Sequence, residues 1–253
     1  MHWFPLGLLM LAQIAYPVAP GDVRTVLIGL IVLLGFASSV GHAFGTRGWR
    51  AGVALIAITA GGGLAVEAVG VATGFPFGDY EYGALLGPTL LGVPLLIPLA
   101  WTWMAWPAWI AAGHLVRQPL ARLVVAGVGL AAWDLFLDPQ MVAESHWRWS
   151  PPLVTLPGVD TVPIGNFAGW LAISVLMMGA LAGIAGPRAQ KVDRHADRPM
   201  LALYLWTYIS SVLAHAVFLG LPRSAVWGAI GMGLVAVPLV VTLVRRRAAE
   251  LVA

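Results

Sequence analysis

The sequence predicts an all-α fold, a polytopic integral membrane bundle of about eight transmembrane helices, and three observations point to it. Of 253 residues, 60% are apolar and only 10% charged, against roughly 45–50% and about 25% in soluble domains. Mean hydropathy is +0.87, which leaves too little polar surface for a water-facing globule. The apolar residues fall in stretches close to the roughly 20 residues that a bilayer core requires. These features exclude a cytosolic enzyme, a disordered protein and a nucleic-acid binder. The sequence pI near 9.7 rests on a net charge of only +3, not on the dense basic face that nucleic acid demands. With no cysteine in the chain, disulfides, thiolate metal sites and cysteine nucleophiles are excluded as well.

Candidate spans lie near 3–20, 24–44, 50–72, 88–115, 119–137, 166–186, 199–219 and 223–244. Pro5 and Pro17 shorten the first, and the bundle has seven helices if it does not cross. It lacks a basic n-region, and Pro20 follows its only small-residue cleavage site, so it reads as a span rather than a signal peptide. The third carries Gly61, Gly62, Gly63 and Glu67. The fourth contains Pro94, Pro98 and Pro107, which kink a membrane helix whose freed carbonyls neighbours must satisfy. The fifth ends at Asp134 and Asp138. Beyond it, prolines 139, 151, 152, 157 and 163 forbid a continuous helix over 138–165. Trp147 and Trp149 place that loop on the membrane surface or folded back as a cap, and 73–87 is a second outer loop of the same kind. Asn166 opens the sixth helix, as its N-cap or as a residue facing the site. The whole of 1–253 reads as one transmembrane domain with a motif-bearing core at 60–170.

Arginine and lysine set the orientation. With both termini cytoplasmic, eleven of the fourteen basic residues lie inside, from Arg47 and Arg50 through Arg117, Arg122 and Arg188 to Arg245, Arg246 and Arg247. Asp22, Glu67, Asp79, Glu81, Asp134, Asp138, Glu144 and Asp160 gather on or near the outer side, giving +8 inside and −5 outside. The expected location is the cell membrane.

Carboxylates are costly in a membrane helix unless paired, protonated or facing a wet cavity, so Glu67 reads as functional; the competing reading is interfacial placement. Asp134 and Asp138 stand four residues apart, on one face if helix persists. Two close carboxyls in an apolar setting do not both ionise comfortably, and the one that keeps its proton is a general acid. Structural roles, a loop cap for Asp138 and an interhelical hydrogen bond for Asp134, compete with this. Tyr80 and Tyr82 are hydrogen-bond or proton donors, or members of the interfacial aromatic belt; Asp79 and Glu81 read as solvated. Trp101, Trp103, Trp106 and Trp109 would line an apolar groove or simply pack the bundle. Six histidines show no metal spacing, with His42, His114 and His215 placed for interhelical hydrogen bonds. No nucleotide-binding motif or nucleophile elbow is present, so neither metal nor cofactor is expected.

The run from Glu67 through Gly74-Phe75-Pro-Phe77-Gly78 to Tyr80 and Tyr82 resembles the signature of the CruF-type carotenoid hydratase family. So do Val93 to Trp101, Trp133-Asp134-Leu-Phe-Leu-Asp138-Pro139 with Trp147-Arg-Trp149, and Pro163-Ile-Gly165-Asn166-Phe-Ala-Gly169-Trp170. The resemblance implies a membrane enzyme that adds water to the terminal double bond of an acyclic ψ-end, or of a C50 prenyl arm, leaving a tertiary alcohol. It implies catalytic positions at Glu67, Tyr80, Tyr82, Asp134, Asp138 and Asn166. Trp101, Trp103, Trp106, Trp133, Trp149, Phe75 and Phe77 are then expected to contact substrate, their π faces stabilising a cation. The implied partners are a carotenoid, membrane lipid and other carotenoid biosynthesis enzymes. The competing functions are a transporter or proton-relay protein, and a carotenoid cyclase or prenyl transferase using the Asp134–Asp138 pair.

Overall fold

The computed structural model describes residues 3–151, 154–186, 189 and 191–252; His2, Pro152 and Arg188 lie outside them. The chain is a helical membrane protein. Among the described residues, six helical segments are long and apolar enough to cross a bilayer: Gly21–Arg47, Trp49–Thr73, Pro119–Ala143, Ile164–Ile184, Arg198–Phe218 and Pro222–Leu251. The other two expected segments are helical but differ in kind. Trp3–Ala15, continued by a 3₁₀ turn to Val18, is about 20 Å long at ~1.5 Å per residue, short of a hydrocarbon core. Leu96–Leu115 has the length, but every residue from Ala100 to His114 is buried in protein. It packs against Gly21–Arg47, Pro119–Ala131, Arg198–Leu213 and Pro222–Val252. A helix screened from lipid on all sides is free to carry Thr102, His114 and the four tryptophans.

Two boundaries move. The fourth helix begins at Leu96 rather than 88, because Thr89–Leu90 pairs with Val93–Pro94 in a hairpin whose turn residues Leu91 and Gly92 have φ of 54° and 80°. The fifth does not end at 137. After a break at Ala132 and Trp133 it resumes as Asp134–Ala143 with Pro139 inside. Pro139 deprives the Leu135 carbonyl of its helical donor, and Ser224 Oγ donates to that carbonyl at 2.8 Å. Ser39 Oγ does the same, at 2.8 Å, for the Trp103 carbonyl opposite Pro107. Neighbouring hydroxyls thus keep proline tolerable inside membrane helices. The interhelical roles of the histidines also hold. His42 Nε2 donates to the Ala196 carbonyl and its Nδ1 accepts from Trp106, His114 Nε2 meets Asp197, and His215 Nδ1 meets Ser224.

The loops that carry Tyr80–Tyr82 and Trp147–Trp149 fold back as a cap. Tyr80–Tyr82 pairs antiparallel with Trp147–Trp149, Tyr80 opposite Trp149 and Tyr82 opposite Trp147. Side chains alternate along a strand, so the four aromatics turn toward the bundle while Glu81 and Arg148 pair outside. A further hairpin joins Thr155–Leu156 to Val159–Pro163.

Gly21–Arg47 approaches the central helix through Gly35, where an added Cβ would lie 2.4 Å from Trp103 Cγ. Gly35→Ala is therefore expected to destabilise the protein by about 1–3 kcal/mol, seen as a lower melting temperature in detergent. An unchanged melting temperature would show that these helices separate freely.

Candidate active site

The first half of the site is built on one face of Gly62–Thr73, where Gly63, Glu67 and Gly70 are buried in line at i, i+4 and i+7 spacing. The glycines make room for Glu67's partners. A Cβ on Gly63 would lie 3.1 Å from the Trp101 ring, and one on Gly70 would lie 2.7 Å from the Tyr80 hydroxyl. Glu67, 3% exposed, accepts hydrogen bonds at Oε2 from Tyr80 (2.5 Å) and Tyr82 (2.8 Å), and at Oε1 from the Trp101 indole (3.0 Å). Three donors, two of them phenols from the capping sheet, satisfy a buried carboxylate without a cationic partner. Burial, and then the charge of Glu67, push the Tyr80 and Tyr82 phenols well above their ordinary range, so both remain donors at neutral pH.

The second half comes from Asp134–Ala143 and Ile164–Ile184. One helical turn apart, Asp134 and Asp138 are 0% and 3% exposed, and their carboxyls lie within hydrogen-bonding reach of each other. Asn166 Nδ2 donates to Asp134 Oδ2 at 2.8 Å and also to Asp138 Oδ2. Trp147 Nε1 donates to Asp138 Oδ1 at 3.1 Å. Among the described residues Asp134 Oδ1 has no hydrogen-bond partner. The N-cap position of the sixth helix falls on Pro163 and carries no side-chain cap, so Asn166 is released to bridge the two acids.

Glu67, Asp138, Asn166, Tyr80, Tyr82, Trp101 and Trp149 together line a cavity of about 30 Å³, room for about one or two water molecules. Trp101 stacks on Trp170 with ring centroids 3.7 Å apart and planes 5° apart, and Phe77, 1% exposed, leans on both. A second, mostly apolar cavity of about 110 Å³ is lined by Trp103, Trp133, Phe136, Ile28 and Ile31, among others. Ile97, Ala100, Leu137 and Trp147 line both cavities, which therefore adjoin. Two expected substrate contacts are not brought here. Trp106 lies fully buried with its indole N–H held by His42 Nδ1, and Phe75 is 72% exposed on the turn that buries Phe77. Conversely, Trp147 and Trp170 sit in the site although no role was assigned to them. The signal for Trp147 was the alternation Trp-Arg-Trp; Trp170 offered none beyond its place in a motif.

A membrane bundle with Glu67 and Asp138 lining a small cavity, Asp134 joined to Asp138 through Asn166, and a larger cavity alongside describes a class of lipid-phase protein rather than a single member. The family model described as "Carotenoid biosynthesis protein" matches residues 27–249, and the chain belongs to this family. It is also 35% identical over 152 residues to bisanhydrobacterioruberin hydratase of Haloarcula japonica, across 57% of this chain and 50% of that protein. The match thus spans about half the length of that relative. No solved structure matches the chain.

Proposed function

We propose that the protein is a carotenoid hydratase, adding water across the terminal double bond of an acyclic ψ-end or a C50 prenyl arm. The junction of the two cavities carries this reading. A polyene in the larger cavity passes Ile97, Ala100, Leu137 and Trp147, which line both, and brings its end to the carboxyls and a confined water in the smaller one. The hydratase named above supports it.

In this scheme one proton is shared by the Asp134–Asp138 pair, since two charged carboxylates in contact repel. Asp138 lines the water cavity and delivers the proton; Asp134 stands behind it, oriented by Asn166. The proton adds to the less substituted carbon as the π bond breaks, leaving a tertiary cation. Glu67 and the faces of Tyr80, Trp101 and Trp149 lie where they stabilise that charge. Water then forms the C–O bond and gives up a proton to the carboxylate pair, so the net change is one water added. The N–H donors already spent on Asp134 and Asp138 fit this role better than a magnesium–diphosphate site. In this reading the protein is one transmembrane domain of the cell membrane with both termini cytoplasmic, an orientation that its arginine distribution supports.

Expressed in a lycopene-producing host, the protein is expected to yield pigments heavier by one or two waters on mass analysis. Unchanged pigment with both acyclic C40 and C50 substrates would overturn the proposal.

A further inference from the structure

At the basic end of the bundle a third, separate cavity of about 640 Å³ opens between Arg198–Leu213 and Pro222–Val252, lined by His114, Arg194, Arg198, Arg246 and Arg247 with an apolar floor. Its two walls are helical stripes. One runs Arg198, Leu201, Ala202, Leu205 and the other Leu243, Arg246 and Arg247, Glu250, each at i, i+3, i+4, i+7 spacing. Both stripes are leucine toward the middle of the membrane and arginine toward its edge. The groove is therefore divided along the helix axes into an apolar part and a cationic part.

The cationic part is held in place from behind. Asp197, 1% exposed, accepts from Arg47 and from His114 Nε2. Arg246 in turn donates to the His114 carbonyl at 3.0 Å and rests 3.2 Å from its Nδ1. Both terminal nitrogens of the Arg246 guanidinium are thus anchored on His114, and a guanidinium has five N–H donors in all, so more remain for a ligand in the groove that Arg246 lines. Arg194 spends its charge on Glu250 at 3.2 Å, both side chains more than 60% exposed. Among the described residues neither Arg198 nor Arg247 has a carboxylate partner. The lining carries four arginines against one glutamate, an excess of positive charge with no internal counter-ion.

We propose that this groove binds the phosphate of an anionic glycerophospholipid on Arg198, Arg246 and Arg247, with the first acyl segments against Leu201, Leu205 and Leu243. Guanidinium donors match phosphate oxygens in pairs, and basic pockets between membrane helices suit anionic headgroups. The leucine floor selects a lipid over a free phosphate ion, which has nothing to place there.

The test uses the full-length protein purified in neutral detergent and followed by thermal melting. Phosphatidylglycerol at about 100 times its Kd is expected to raise the melting temperature by about 5 °C or more, while phosphatidylcholine and inorganic phosphate leave it unchanged. The double variant Arg198→Gln, Arg247→Gln keeps the lipid-free melting temperature and binds phosphatidylglycerol roughly thirtyfold more weakly, at ~1 kcal/mol per arginine. Equal stabilisation by phosphatidylcholine, or an undiminished response of the double variant, overturns the site. A shift of the same size from inorganic phosphate alone overturns the lipid assignment. If the double variant melts early without lipid, Arg247→Gln alone, on the exposed face near the end of the last helix, is read in the same titration with the same criteria.

Discussion

Replacing Asp138 by asparagine is expected to lower the hydration rate by roughly 10²–10⁴-fold, the usual contribution of a positioned general acid, while the protein still folds. Asparagine keeps the size of the side chain, and its one amide oxygen keeps either the Trp147 bond made to Oδ1 (3.1 Å in the wild type) or the Asn166 bond made to Oδ2, its NH₂ taking the place of the other oxygen. What is lost is the proton at the cavity wall. Asp134→Asn is expected to be nearly as damaging for a different reason. Its amide would donate to Asp138, holding that group as a carboxylate with nothing to deliver. Pigment conversion in isolated membranes, with melting temperature as the control for folding, measures both. A variant that hydrates at the wild-type rate removes its residue from the acid role. If Asp134→Asn is dead and Asp138→Asn active, the order of the two acids is reversed.

Glu67→Gln is expected to cost both rate and stability. Without the carboxylate, the developing cation loses its facing negative charge, an effect of roughly 10²–10³-fold for a preorganised electrostatic contact. The hydrogen-bond accounting is also unfavourable. Trp101 only donates, so the glutamine oxygen must face it and the NH₂ must face Tyr80 and Tyr82. Of the phenols, which now donate to Oε2 at 2.5 and 2.8 Å, Tyr82 then loses its acceptor and Tyr80 keeps only the residue 67 carbonyl at 3.4 Å, at about 1–3 kcal/mol for a buried group left unsatisfied. A lower melting temperature together with slow turnover is the expected pair of results. Loss of stability with full activity would make Glu67 a structural brace for the capping sheet.

Much of this site was legible because charge is so scarce in the chain. With 25 charged side chains in 253 residues, a carboxyl inside a span stands out, and Glu67, Asp134 and Asp138 could be named from position; Asn166 reads from position as an N-cap or a residue facing the site, and only the family resemblance gives it a catalytic place. The aromatic residues resisted the same treatment. Trp103 and Trp106 share a helical face in sequence, yet Trp103 lines the apolar cavity and Trp106 is turned to His42. Phe75 and Phe77 occupy one motif, but the turn exposes the first and buries the second. Tryptophan serves packing, belts and sites equally well, so its type carries little information about which.

The proline rule erred in an instructive way at Pro139. Sequence reasoning ends the helix before it, because the Leu135 carbonyl loses its donor. Ser224, 85 residues further along the chain than Pro139, supplies that donor at 2.8 Å, and the continued helix is what holds Asp134 and Asp138 on one face.

From sequence alone follow the membrane bundle, the unequal sharing of charge between its two ends, and the identity of the acids, because the cost of burying charge in lipid acts on each residue wherever it lies. Only the tertiary structure decided which partners those acids have, which tryptophans reach them, and that the small carboxyl-lined cavity adjoins a larger one. Those depend on strand register between Tyr80–Tyr82 and Trp147–Trp149 and on which helix faces meet, and hydrogen bonds between distant segments are set by packing rather than by any local preference of the residues that make them.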